Sequence, residues 1–531
     1  MLGRLNNSFF NRVNWSKFLR YLSLFFLILG ILVRIIQYLS NRSLWFDEAN
    51  LALNIVHRSY GELVQTLDHN QAAPLGFLWL EKLAIQVFGN NEYALRLLPT
   101  VAGIVALVIF YFLANRYCSK FATPIAIALF ACSRYTLYFA TELKPYSSDV
   151  AIALLLFWIL TRIRHQILKI RAIFGLALLG ALSIWLSYPV IFILGGLEAY
   201  YLLTASKKYL RRILANRIVI YLVWVGSFAS LYFLTIANTL NNEELSSSWE
   251  SRYPNSFGDI IWLLDALGRF FYHPMGFLGI TDGIGIVAFI FGCIAWYRHN
   301  RTIFGALVAP FVATIIAAYL QQYPFRDRLV LFLAPLGMLI VAEGIRFLLL
   351  KLGEFHWSRN SEKINRPKLT FLMGLLGIIC LWGLLVPAIA RASNFVIHPE
   401  LKHEVKPVLE YVVSQEQPGD KIYVYSRGYT AFLYYTEQKD YSGLDYIRGT
   451  INFSDKVSNK TRSLSDKWQE FAMELKPLIG ESRVWFILRE DQSFEAEVLQ
   501  YLNQVGQQLD SFQKTGASAY LYELATKLRP I

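Results

Sequence analysis

Of the 531 residues, 55% are hydrophobic and only 17% charged, and the apolar residues come in long runs. Such runs place the chain in the membrane class and exclude an ordinary soluble globular enzyme over its first three quarters. The net charge of +13 does not indicate nucleic-acid binding, because the basic residues stand in short clusters between apolar runs, as determinants of membrane topology do.

The first apolar run, near Phe18 to Leu39, follows Arg4, Arg12, Lys17 and Arg20, and no small-residue cleavage site follows it. It reads as a retained span and not as a secretory signal. A crossing needs roughly 20 mainly apolar residues for a hydrocarbon core about 30 Å thick. Further spans are predicted near 94–115, 122–140, 149–162, 172–188, 190–205, 218–239, 275–297, 302–320, 328–349 and 369–391, about eleven in all. An odd count puts the two chain ends on opposite sides. The clusters Arg116/Lys120, Arg162/Arg164/Lys169/Arg171, Lys207/Lys208/Arg211/Arg212/Arg217, Arg298/Arg301 and Lys351 to Lys368 then share the side of the N-terminus, which reads as cytoplasmic. The stretch 74–89, PLGFLWLEKLAIQVFG, carries Glu81 and Lys82 at its middle and is short for a crossing. Counted as a span it would invert everything downstream, so it reads as a helix on the outer surface or dipping in from it. The first outer loop therefore covers residues 40–93 within a membrane domain of residues 1–392.

Residues 393–531 are soluble in composition. A helix-like KPVLEYVVSQ, a turn at Pro418-Gly419-Asp420, strand-like KIYVYS and RVWFIL, helix-like EAEVLQYLNQV and strand-like ASAYLYEL alternate, which predicts a small α/β domain on the outer side. It has no phosphate-cradling glycine loop, which favours a binding or covering role over catalysis. Cys118, Cys132, Cys293 and Cys380 lie far apart and read as buried thiols. Only His398 and His403 stand close among the histidines, so no cofactor is required and a divalent metal, though compatible with an acid-rich site, is not indicated.

The chemistry-bearing residues fall in the outer loops. Asp47 and Glu48 form an adjacent acidic pair inside Leu44-Trp45-Phe46-Asp47-Glu48-Ala49. Desolvating a carboxylate at a membrane surface costs several kcal/mol unless something compensates. The pair therefore either caps a helix, with Asp47 as N-cap and Glu48 in the first turn, or has a function. The second outer loop, Thr141 to Asp149, holds Glu142, Lys144, Tyr146 and Asp149, which make either a salt-bridged loop or a second acidic or phosphate-contacting site. A third segment, Gln321 to Arg328, places Arg326 and Arg328 outside, where a guanidinium pairs with phosphate or with Asp327 and lipid head groups. His69, Asn70, Gln71, Pro74 and Arg96 are further candidates, the last equally readable as a snorkelling interfacial anchor.

In this order and spacing, over residues 18–150, the acidic pair, the proline-led helix from Pro74, the stretch ALRLLP and the acid-bearing second loop resemble the dolichyl-phosphate-mannose protein mannosyltransferase (glycosyltransferase family 39) superfamily with its bacterial aminoarabinose-transferase relatives. The resemblance implies a polytopic α-helical membrane protein of the glycosyltransferase C fold with a soluble α/β domain. It implies an inverting enzyme that moves a sugar from a polyprenyl-phosphate carrier to a lipid, glycan or protein acceptor on the non-cytoplasmic side of, by resemblance to the compact bacterial members, a bacterial cytoplasmic membrane. Asp47 resembles the general base, with Glu48 orienting the loop or the base. Lys144, Arg326 and Arg328 would stabilise the leaving phosphate, and Glu142, Tyr146, Asp149, Gln71 and Arg96 would contact substrate. The sequence Ala72-Ala73-Pro74 departs from the two consecutive prolines of many relatives, and the match does not decide whether Glu142 or Asp149 answers to the second-loop acid. A lipid or solute transporter or flippase is the competing reading, and a non-catalytic scaffold a third. Transporters usually carry internal repeats and mid-span charges, whereas most acids here stand at the outer rim.

Overall fold

The computed structural model describes residues 15–164, 166–240, 249–358, 367–451, 464–489 and 492–525. Arg4, Arg12 and part of the Lys351–Lys368 cluster lie outside the described residues. In chain order the helices are α1 (Trp15–Leu39), α2 (Phe46–His57), α3 (Leu75–Phe88), α4 (Glu92–Tyr117), α5 (Ala122–Cys132), α6 (Arg134–Tyr138), α7 (Tyr146–Ile163), α8 (Ile170–Leu186), α9 (Val190–Thr204), α10 (Lys207–Leu231, running on to Leu240), α11 (Ile260–Tyr272), α12 (Ile280–His299), α13 (Arg301–Tyr319), α14 (Ala334–Ser358), α15 (Pro367–Ile397), α16 (Val405–Gln415), α17 (Tyr429–Gln438), α18 (Leu464–Leu475) and α19 (Gln492–Val505). Packing divides the chain into two compact units. One holds residues 1–39, 72–80 and 96–398, the other 40–71, 81–95 and 399–531.

The first unit is the multi-pass membrane part. Eight helices among the described residues are long and apolar enough to cross a membrane: α1, α4, α7, α10, α12, α13, Asp327–Lys351 and α15. Three shorter apolar helices, α5, α8 and α9, occupy the remaining predicted positions. Helix-to-helix contact relies on small residues, as expected where lipid is as apolar as leucine. A side chain at Gly292 of α12 would collide with the Ile340 carbonyl of α14, and one at Gly344 of α14 with the Ala288 carbonyl of α12. Arg217 of α10 and Glu198 of α9 form a buried ion pair at 2.8 Å, and Glu198 also accepts from the Tyr221 hydroxyl at 2.7 Å.

Three details differ from the sequence expectation. The predicted span 122–140 breaks at Ser133, whose backbone is extended. The carbonyls freed by the break are taken by neighbours: Thr136 Oγ1 donates to Phe130 O at 2.8 Å and to Ser133 O at 3.1 Å, and Arg34 reaches Ala131 O at 3.4 Å. The predicted span 328–349 opens as a 3₁₀ turn, Asp327–Leu333, before α14. Helix α11 was not foreseen. Asp259 caps it by accepting from Trp262 N at 2.9 Å, and Trp262, Ala266 and Phe270, four residues apart, bury one face.

The second unit contains a five-stranded sheet of order β2-β1-β3-β5-β4, with β1 (Lys421–Val424), β2 (Tyr446–Arg448), β3 (Val484–Arg489), β4 (Gly506–Lys514) and β5 (Ala517–Leu524). Strand β1 is parallel to β2 and β3, while β5 is antiparallel to β3 and β4. The central strands are apolar on both faces, as burial between helices requires. Tyr423, Phe486, Tyr520 and Tyr522 point to one face, packed with Phe471 and Leu475 of α18 and Val498 and Leu502 of α19. Trp485 points to the other, against Tyr411 of α16 at 6.2 Å between ring centroids. The predicted strands and helices of this domain stand where the sequence pattern places them.

Candidate active site

The acidic pair begins α2. Trp45, in an extended conformation, is the N-cap, so Asp47 and Glu48 are the second and third residues of the first turn, and the expectation of Asp47 as the cap is corrected. Glu48 is 0% exposed and accepts the Trp45 backbone N–H at 3.4 Å. A carboxylate placed there relieves an orphaned helix N–H and meets the positive end of the helix dipole. Asp47, by contrast, is half-buried. Gln71 Nε2 donates to Asp47 Oδ1 at 3.3 Å and to His69 O at 3.1 Å. His69 (φ 59) and Asn70 (φ 53) both lie in the left-handed region, an uncommon conformation for two consecutive non-glycine residues. This strained turn brings Gln71 back to Asp47 across 24 residues of sequence.

The loop that carries the pair is fastened to the soluble domain, within the same unit. Leu44 N donates to the Tyr435 hydroxyl at 2.6 Å, and Ser43 Oγ to Glu404 at 3.0 Å. His57 Nε2 meets Glu437 at 2.6 Å, Lys406 pairs with Glu92 at 2.8 Å, and the Tyr434 hydroxyl donates to Asn90 at 3.0 Å. Lys82 donates to the carbonyls of Ile55 and Val56, both at 3.0 Å, and so caps the last turn of α2. Glu81, its neighbour, is fully buried, and neither of its oxygens has a hydrogen-bond partner among the described residues. Burial alone pushes its carboxyl well above the usual carboxylate range.

The remaining candidates lie in the first unit. Glu142 is 0% and Lys144 5% exposed, and Lys144 N donates to Glu142 O at 2.7 Å in a tight turn. Tyr146 is buried edge-on to Phe139, and the Arg328 guanidinium stands 5.6 Å from the centre of its ring. Asp149 is buried, with Tyr188 and Tyr323 within reach of its charge. Arg326 pairs with Asp265 at 2.8 Å, and Asp327 pairs with Arg252 at 3.7 Å. Arg96 is buried, with its carbonyl accepting from Thr100 Oγ1 at 2.7 Å, so it does not snorkel.

Sequence reasoning missed two further groups. In the first unit, the His273 ring lies tilted against Tyr135, 3.7 Å between ring centroids, within the fields of Asp327, Arg328 and Arg134. Together with Arg252 and Arg326 this makes a cationic rim gathered from four separate stretches of chain. In the second unit, Lys402, His403, Arg427 and Arg489 cluster beside Trp45 and Phe46. Arginines just past the KIYVYS and RVWFIL runs were the available signal, since ligands of α/β sheets gather at strand carboxyl ends. Among the described residues no group of three or more His, Cys, Asp or Glu is placed to hold a metal ion.

Residues 72–234 match the family model described as dolichyl-phosphate-mannose-protein mannosyltransferase. Among solved structures, ArnT from Cupriavidus metallidurans bound to undecaprenyl phosphate superposes with a TM-score of 0.51 at 12% identity, covering 93% of this chain and 97% of that one. Its apo form gives 0.50 at 11% identity with the same coverage. The archaeal oligosaccharyltransferase AglB from Archaeoglobus fulgidus gives 0.44 at 12% identity over 94% of this chain and 74% of that one. Compared sequence against sequence with curated proteins, the chain has no significant match.

Proposed function

We infer that this chain, which belongs to the dolichyl-phosphate-mannose protein mannosyltransferase-like superfamily and has the glycosyltransferase C membrane fold, moves a sugar from a polyprenyl-phosphate carrier to an acceptor hydroxyl with Asp47 as general base. The observation that carries the assignment is the division of labour inside the acidic pair. Glu48 is wholly buried and bonded to its own helix turn, whereas Asp47 is half-exposed and steadied by Gln71. A base must reach the proton it takes, and only Asp47 keeps that access.

In the reaction Asp47 accepts the acceptor's hydroxyl proton as the hydroxyl oxygen attacks the anomeric carbon. The bond from that carbon to the carrier's phosphate oxygen breaks with inversion, and the lipid phosphate leaves with the bonding electrons. Cations placed where that charge develops lower the barrier. Lys144, Arg326 and Arg328 are assigned this role, supported by the cationic rim that Arg134 and Arg252 extend. Glu142, Tyr146, Asp149, Gln71 and Arg96 are assigned to substrate contact or its support. ArnT was solved with undecaprenyl phosphate bound, which supports a carrier of that class here. The acceptor is a lipid, glycan or protein. The site faces the non-cytoplasmic side of a bacterial cytoplasmic membrane, with the N-terminus inside and the soluble domain outside. The test is transfer from a panel of radiolabelled polyprenyl-phosphate sugars by purified protein in native lipid, scoring labelled product and released lipid phosphate. Vesicle uptake of a labelled lipid or solute with no covalent product would replace this reading with a transporter.

A further inference from the structure

The soluble domain has the topology of a ligand-binding sheet. From β1 the chain passes through α17 to β2 on one side, then returns through α18 to β3 on the other side of β1. Helix α18 packs on the Tyr423 and Phe486 face, and α17 packs with α16 on the opposite one. Adjacent parallel strands whose connections leave in opposite directions open a crevice at their carboxyl ends, the usual binding position in α/β sheets. Here the carboxyl ends of β1 and β3 meet closely. A Cβ at Gly428, the N-cap of α17, would lie 4.0 Å from the Cβ of Arg489, the last residue of β3.

Basic groups converge on that crevice. Arg489 Nε donates to His403 Nε2 at 3.0 Å, which leaves the imidazole proton on Nδ1. That Nδ1 is buried and has no hydrogen-bond partner among the described residues. Burial, together with the positive charges of Arg489, Lys402 and Arg427, pulls the His403 pKa down to about 3, so it is a neutral donor. Trp45 and Phe46 form the wall. Lys402 Nζ stands 3.7 Å from the centre of the Trp45 ring, and the Arg489 guanidinium 5.3 Å from that of Phe46. Trp45, Phe46, Lys402, His403, Arg427 and Arg489 are all half-buried and so open to a ligand. A buried N–H donor without a hydrogen-bond partner among the described residues, set among three cationic side chains, suits an anion, and guanidinium groups match phosphate oxygens.

We propose that the soluble domain holds a phosphate-class oxyanion at the carboxyl ends of β1 and β3, between Lys402, His403, Arg427 and Arg489 and the Trp45–Phe46 wall. Side chains here replace the glycine loop that the domain lacks. Since Phe46 immediately precedes Asp47, the bound phosphate belongs to a substrate of the transferase, and to that extent the proposal rests on the function inferred above.

The test is equilibrium binding to the full-length protein in lipid nanodiscs, with radiolabelled orthophosphate and radiolabelled polyprenyl phosphate as separate probes. The proteins compared are wild type, the Arg427→Gln/Arg489→Gln double variant and Asp47→Asn. The expected result is at least a tenfold loss of affinity in the double variant, with Asp47→Asn near wild type. Loss for both probes identifies a bare phosphate site, whereas loss for polyprenyl phosphate alone identifies the carrier as its source. Unchanged affinity for both probes overturns the proposal. If the double variant fails to fold, Lys402→Gln, altered at a half-exposed side chain, is read by the same criterion. Binding is scored without turnover, so a wild type that binds but transfers no sugar would remove the inferred reaction and leave this site standing. A wild type that transfers normally while the double variant binds normally would do the reverse.

Discussion

Replacing Asp47 by Asn tests the assigned base with the least structural disturbance. Asn is isosteric, and its side-chain oxygen can still accept from Gln71 Nε2, the 3.3 Å bond that steadies Asp47. Glu48, which holds the helix turn through Trp45 N, is untouched. The fold should therefore persist while proton acceptance is lost. General-base catalysis contributes about 10²- to 10⁴-fold, equivalent to roughly 3–5 kcal/mol in the barrier. The assay is single-turnover release of lipid phosphate from a polyprenyl-phosphate sugar by protein in native lipid, with thermal unfolding as the control for folding. A rate within about threefold of wild type, less than a kcal/mol, would refute the assignment. Glu48→Gln makes the contrasting case. Its cost should appear chiefly as a lower unfolding temperature, since Glu48 accepts a backbone hydrogen bond while fully buried.

Glu81→Gln should raise thermal stability by an amount that grows with pH. A carboxyl whose folded pKa is raised gives its full stability below the unfolded value of 4.5 and loses it as pH rises toward the folded value, whereas Gln loses none. A difference in unfolding temperature that stays constant between pH 4 and 8 would contradict this. Arg217→Met should cost about 3–5 kcal/mol by stranding the buried Glu198, and adding Glu198→Leu should recover most of it, both read by thermal denaturation in detergent. Gly344→Val should abolish the monodisperse peak on size exclusion by driving a side chain into the Ala288 carbonyl, whereas Gly195→Ala, where a Cβ meets nothing within 4 Å, should leave it intact. Chelation with EDTA should leave sugar transfer unchanged, and a loss restored by a single divalent cation would overturn the expectation that no metal is required.

Hydrophobic length is a local property of the chain, so the membrane class and the places of the apolar helices could be read from the sequence, whereas the break at Ser133 inside the predicted span 122–140 could not. The same holds for the strands ASAYLYEL and RVWFIL, whose apolar runs already state how deeply they are buried. The acidic pair was legible too, because an adjacent Asp-Glu among aromatic residues is costly without a purpose. Which member is buried was not legible, since that depends on where the helix starts, and Trp45 took the cap that Asp47 was expected to fill. The turn that returns Gln71 to Asp47, the exchange of partners that gives Arg326 to Asp265, and the convergence of Lys402, His403, Arg427 and Arg489 on Trp45 and Phe46 join residues far apart in the chain. No pattern in one dimension encodes such meetings, because they follow from how the strands are ordered and how the helices close around them. The sequence determined by itself that this is a multi-pass membrane protein and where its acidic and basic residues stand between the apolar runs. Only the tertiary structure decided which charges share a site, because electrostatic partnership is set by distances of a few ångströms in space and not by separation along the chain.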